Sequence, residues 1–139
     1  MADLDSFRAT FKGDIVTPAD AAYPAAIARW ALNAVRPAAV VAFVRDAEDV
    51  ARALRYAQAA GLAIAIRSGG HSPSGASSVD GGLVVDLSRY MTAIRVDAGA
   101  RKAYVQAGAL WKDVVAETMK AGLVTVSGLL GHVRWFILA

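Results

Sequence analysis

The chain has 139 residues, 56% hydrophobic and 19% charged, with a formal charge of +3 and no cysteine. Such a composition builds one well-filled domain and excludes disorder, and the lack of cysteine excludes disulfides, thiolate-bound zinc and thiol catalysis. The basic residues are scattered, only Arg101 and Lys102 being adjacent, so there is neither the basic stripe nor the motif of a nucleic-acid binder.

The first residues carry Asp3 and Asp5 and no apolar stretch, which is not a secretory signal. No apolar run reaches the ~18 residues of a membrane span, and a soluble cytoplasmic protein is the default expectation. Residues 1–18 read as a lead-in segment ending at the helix-start signal Thr17-Pro18. A helix is predicted over about 19–32, with Tyr23, Ile27 and Trp30 on one side, until Arg36-Pro37 breaks it.

The apolar run Ala38–Val44 suits a strand buried on both faces. Asp46 then caps a helix with Asp49 three residues on. Val50, Leu54 and Ala57 form its apolar stripe, while Glu48, Arg52, Arg55 and Gln58 face away, with Glu48 and Arg52 at the favourable i, i+4 spacing. Gly61 ends it. Leu62–Ile66 reads as a second buried strand, paired in parallel with the first. The sequence Arg67-Ser68-Gly69-Gly70-His71-Ser72 follows at its carboxyl end, where open α/β sheets place ligands. Glycines allow a tight turn and close backbone approach, and successive amides in such a turn can form an anion-binding concavity.

Further on, Asp80-Gly81-Gly82 reads as a hairpin-type turn before the strand Leu83–Leu87. Ile94 and Val96, then Ala103, Val105 and Ala107, alternate in two strands joined at Asp97-Ala98-Gly99. A helix is predicted over about 109–121, with Trp111, Val115 and Met119 lining one stripe and Leu110 and Val114 beside it, and Leu123–Val126 begins another strand. His132, Asp46, Glu48, Asp49, Asp80 and Asp86 read as structural or incidental residues, and no metal site is expected.

Together these residues resemble an FAD-binding domain of the PCMH, or vanillyl-alcohol oxidase, type, and within it the berberine-bridge-enzyme-like oxidases. The resemblance is carried by Arg36-Pro37-Ala38-Ala39-Val40-Val41, Asp49-Val50, residues 67–72 with Gly75, Asp80-Gly81-Gly82 with the strand and Ser88 after it, Val105-Gln106-Ala107-Gly108-Ala109-Leu110-Trp111, and Gly122-Leu123. It covers about 14–128, and the order and spacing of the motifs are more specific than any one of them.

The resemblance implies an α+β fold: a first subdomain with a strand-helix-strand unit and glycine loop, then the start of a second, mixed-sheet subdomain. The partial FAD domain is expected over 19–128. It implies FAD as cofactor, with Arg67, Ser68, Gly69, Gly70, His71, Ser72 and Gly75 binding it and His71 attached covalently to the flavin. With no cysteine in the chain, a second attachment is excluded. The implied activity is oxidation of an alcohol, sugar or amine with hydride passing to flavin N5. The alternatives are a non-catalytic flavin-binding fragment and a non-covalent FAD reductase of the same fold, against which the loop histidine argues.

After Gly128 the resemblance stops. Residues 129–139 form an atypical apolar tail, and the family's substrate domain and catalytic base have no counterpart. The expectation is a truncated, frameshifted or fragmentary chain, with a small-molecule substrate only in a full-length relative.

Overall fold

The computed structural model describes residues 3–128 and 130–134. The fold is α+β, built on a mixed four-stranded sheet. Helix α1 (Leu4–Thr10) opens the described chain, its first amides capped by the Asp3 carboxylate. Strand β1 (Asp14–Val16) follows, then a short α2 (Tyr23–Ile27), β2 (Val40–Phe43), α3 (Ala47–Ala60), β3 (Ile64–Arg67) and β4 (Leu83–Asp86). The lead-in region therefore supplies a strand of the sheet, and its Phe7 and Phe11 are buried in the core.

The sheet runs β1-β2-β4-β3, with β1 antiparallel and the other pairs parallel. Period-two alternation divides β2 between two cores. Val40, Ala42 and Val44 pack with Phe7, Phe11, Ala53 and Ala57 under α1 and α3, whereas Val41 and Phe43 pack with Val16, Ala26 and Val84 on the opposite face.

Three expectations about the sheet are corrected. Strands β2 and β3 do not pair: β4 lies between them. All four residues of β4 are buried, so it takes the centre. Strand β3 is not buried on both faces but takes the edge, with Ile64 and Ile66 exposed at 41% and 52%. Because β4 runs parallel to both neighbours, Asp80-Gly81-Gly82 is not a hairpin turn. It is a crossover end tied to the start of β2, with Gly81 N–H donating to Pro37 and Ala39 N–H to Gly82.

Helix α3 has the predicted Asp46 cap, accepting from Asp49 N–H, and the predicted left-handed Gly61 (φ +66°). The stripe differs by one position. Asp49, Ala53 and Ala57 are buried, while Leu54 is exposed. Asp49 is turned inward because it accepts from the amides of Lys12 and Arg45 and from Arg52, joining β1, β2 and α3. The helix expected over 19–32 shortens to α2 and a 3-10 turn at Leu32–Ala34, because its alanine-rich sequence lacks an apolar face long enough to dock.

A two-stranded antiparallel sheet follows, β5 (Ile94–Asp97) with β6 (Lys102–Val105), as the alternation predicts. Helix α4 (Trp111–Lys120) lies against β5. It buries Val114 and Thr118, and Met119 is exposed. No strand forms over 123–126, where Val124 and Val126 are 94% exposed. Most of the apolar tail, residues 129 and 135–139, lies outside the described residues.

Candidate functional site

The loop after β3 opens onto a cavity of about 320 Å³. Its lining includes Ser68, Gly69, Gly70, His71 and Ser72 on one side and Val133 and Arg134 on the other. Five of the seven residues expected to bind cofactor thus share one cavity; Arg67 and Gly75 are not part of the lining.

Among the described residues, the backbone amides of Gly69, Gly70, His71 and Ser72 donate to no protein acceptor. Four successive unpartnered amides are unusual, since most backbone donors in folded chains find acceptors. The loop is held from behind. Trp30 N–H donates to the Gly70 carbonyl at 3.2 Å, and Leu87 N–H to the Arg67 carbonyl at 2.9 Å. The Ser68 hydroxyl donates to the Ala107 carbonyl, which anchors the loop to the segment before α4.

Gly70 takes φ +69°, a conformation costly for any residue with a Cβ. A Cβ there would also stand 3.0 Å from Arg29 Cδ and 3.1 Å from Arg67 Nε. At Gly69 a Cβ would meet the His71 ring at 2.7 Å. The close approach of backbone to cavity therefore depends on both glycines.

The charge behind the loop is positive. Arg67 pairs with the fully buried Asp86 at 2.9 Å and donates to the Ala26 carbonyl. Arg29 is buried, and its partners are the carbonyls of Ala26, Ala28 and Ser77. Burial first, then repulsion from Arg67, lowers its pKa to about 10, against an upward pull from Asp86. Burial likewise lowers the pKa of Arg134, whose guanidinium donates to the Gly108 carbonyl. Asp86 acts on all three guanidiniums and Asp113 on Arg134 as well, so three cations face two carboxylates and the surplus is cationic.

The His71 ring lies 5.6 Å from that of His132, tilted by 52°. No group of three or more potential metal ligands exists among the described residues, and none of the described helices is long and apolar enough to cross a membrane.

Arg29, Ser77 and Arg134 escaped the sequence reading. Arg29 stands alone in an alanine-rich stretch, and no local pattern announces its contact with Ser77, 48 residues on. The available signal was indirect: a lone arginine amid small apolar residues must find partners if buried.

A glycine loop with free amides and cationic backing thus faces a roomy cavity at the end of a parallel strand of an α+β domain, an arrangement chemically suited to an anion. The comparisons with known proteins make that class specific. Residues 37–132 match the FAD binding domain family, and the chain belongs to it. It is a PCMH-type domain related to the berberine-bridge-enzyme-like oxidases.

The chain is 36% identical over 120 residues to (R)-6-hydroxynicotine oxidase of Paenarthrobacter nicotinovorans, covering 86% of this chain and 26% of that protein. It is 34% identical over 134 residues to an FAD-linked oxidoreductase of Aspergillus terreus, covering 94% and 27%. The crystal structure of 6-hydroxy-D-nicotine oxidase from Arthrobacter nicotinovorans superposes with a TM-score of 0.86 at 35% identity, covering 90% of this chain and 27% of that one. The chain spans about a quarter of the length of these relatives.

Proposed function

We propose that this chain supplies the cofactor-binding part of a flavoprotein oxidoreductase, with the loop at 68–72 cradling the diphosphate of FAD and His71 holding the flavin ring. The observation that carries the reading is the run of unpartnered amides from Gly69 to Ser72 at the edge of the cavity.

The residues fit that group. Phosphate oxygens accept backbone N–H bonds wherever glycine lets the backbone approach, and the surplus guanidinium charge favours an anion. The Ser72 hydroxyl, now 2.9 Å from that of Ser74, is free to redirect its proton. Arg67 contributes charge from behind while its guanidinium stays on Asp86, and Gly75, at φ +80°, shapes the return of the loop.

Bound FAD would supply hydride acceptance, which no protein side chain can provide. The chain's own residues bind and orient it. His71 carries the one imidazole in the loop, and an imidazole nitrogen is a competent nucleophile, so His71 would hold the flavin through an N–C bond to its 8α-methyl carbon, a methyl C–H bond being broken, the proton lost to solvent and the electron pair left on the flavin itself. Among the described lining residues there is no carboxylate and no phenol. Substrate oxidation of an alcohol, sugar or amine therefore draws its proton acceptor from outside this wall, and the chain by itself binds flavin without turnover.

The test is direct. The full chain is incubated with FAD, denatured in acid and separated from free flavin. Yellow colour staying with the protein and disappearing in His71→Ala supports attachment through His71. Complete release from the wild-type chain leaves a non-covalent site, and no association with FAD under native conditions refutes the assignment.

A further inference from the structure

The back of the cradle contains a buried cation without a carboxylate of its own. Arg29 is 8% exposed. Its Nη2 donates to the Ser77 carbonyl at 2.7 Å and its Nη1 to the Ala28 carbonyl at 2.8 Å, with Ala26 at 3.5 Å. Its Nε is fully buried and has no acceptor. Burying such a charge is expensive unless it is paired, and Asp86, the carboxylate that acts on it, is engaged by Arg67 at 2.9 Å.

Its position explains why the cost is tolerated. Arg29 Cδ lies within 3.0 Å of where a Gly70 Cβ would stand, so the side chain passes directly behind the loop. Its fork joins the end of α2 to the Ser77 segment, which also lines the cavity. Trp30, the next residue, holds the Gly70 carbonyl through its own amide. With that carbonyl engaged at the back, the loop keeps its amides unspent.

We propose that Arg29 is the positioning residue of the anion cradle: it passes behind Gly70 and ties the end of α2 to the Ser77 segment through the carbonyls of Ala28 and Ser77, so backing loop 69–72, and its unneutralised charge is the counter-charge that a bound diphosphate meets. The proposal rests on the reading of that loop as a diphosphate site. Lysine is not an equivalent, because one ammonium cannot span two carbonyls as a planar fork does.

The experiment uses inorganic pyrophosphate on the full chain, followed by NMR of the Gly69–Ser72 amides, with chloride at matched ionic strength as control. The expected result is saturable amide shifts with pyrophosphate alone. In Arg29→Met the affinity falls about 30-fold, the scale of one lost charge-assisted contact. Arg29→Lys restores part of it, and riboflavin, which has no phosphate, binds both variants as it binds the wild type.

Affinity unchanged in Arg29→Met overturns the assignment of Arg29 and leaves the cradle standing. Absence of amide shifts in the wild type, or equal shifts with chloride, overturns the cradle and this inference with it. Should Arg29→Met fail to fold, the wild-type Arg29 Nε–H resonance decides. A shift on adding pyrophosphate supports the proposal, and an unmoved resonance overturns it.

Discussion

Arg67 and Asp86 face each other in the β3–β4 register and close an ion pair at 2.9 Å, with the carboxylate wholly buried. Asp86 also accepts from Ser88 N–H at 2.8 Å. Removing one partner of a buried pair leaves the other charge stranded, typically at about 3–5 kcal/mol. Asp86→Ala should lose stability on that scale in urea unfolding. Asp86→Leu combined with Arg67→Met should lose much less, so the two substitutions are strongly non-additive.

Two left-handed glycines separate backbone strain from function. Gly61 at φ +66° has nothing within 4 Å of an added Cβ, whereas Gly70 at φ +69° has Arg29 and Arg67 against it. Gly61→Ala should cost about 1–2 kcal/mol, the left-handed penalty alone, and leave FAD association unchanged. Gly70→Ala should cost more and weaken FAD association. Thermal unfolding and flavin titration of both variants check the contrast.

Acid should destabilise the β1 edge of the sheet through Asp14. The Tyr90 hydroxyl at 2.6 Å, then Arg89 at 2.6 Å, hold its carboxyl below the ordinary value of 3.8. A depressed native pKa means that the unfolded chain binds more protons in that window. The stabilisation is therefore present above about pH 4 and is lost as pH falls through the native value. Asp3, Asp20 and Asp46 act with the same sign, so the wild type is compared with Tyr90→Phe. The variant should show a shallower loss of stability between pH 5 and pH 2, on the order of the shift it removes.

The edge strand β3 is an association hazard. Ile64 and Ile66 are exposed beside unpaired backbone groups, the arrangement that sheet edges usually avoid with charge. Ile64→Lys should slow concentration-dependent aggregation, read by light scattering, while changing unfolding free energy by no more than about 0.5 kcal/mol.

Local signals in the chain were legible where physics is local. The Asp46 cap, the left-handed Gly61, the β5–β6 hairpin and the glycine loop at the end of β3 all follow from residues within one turn of each other. The order of the parallel strands was not, because β2, β3 and β4 are all short apolar runs and register between distant strands leaves no mark in either. The exposure of Ile64 and Ile66 follows from that order. The same limit hid Arg29, whose partner Ser77 and neighbour Gly70 arrive from far along the sequence. His71 was legible as a candidate because its motif is contiguous, while the ring of His132 beside it depends on how the chain returns after α4.

That return has a further consequence. Helix α4 begins without a side-chain cap, and the carbonyls of Val133 and Gly131 take the amides of Trp111 and Lys112 at 3.0 and 2.9 Å. The strand-like stitch from Leu110 to Arg134 fastens the same stretch. One wall of the cavity is thus moored to the first turn of a helix, so breathing of that turn and opening of the mouth become a single event. Occupancy of the cavity should slow hydrogen exchange at Trp111 and Lys112, residues outside its lining.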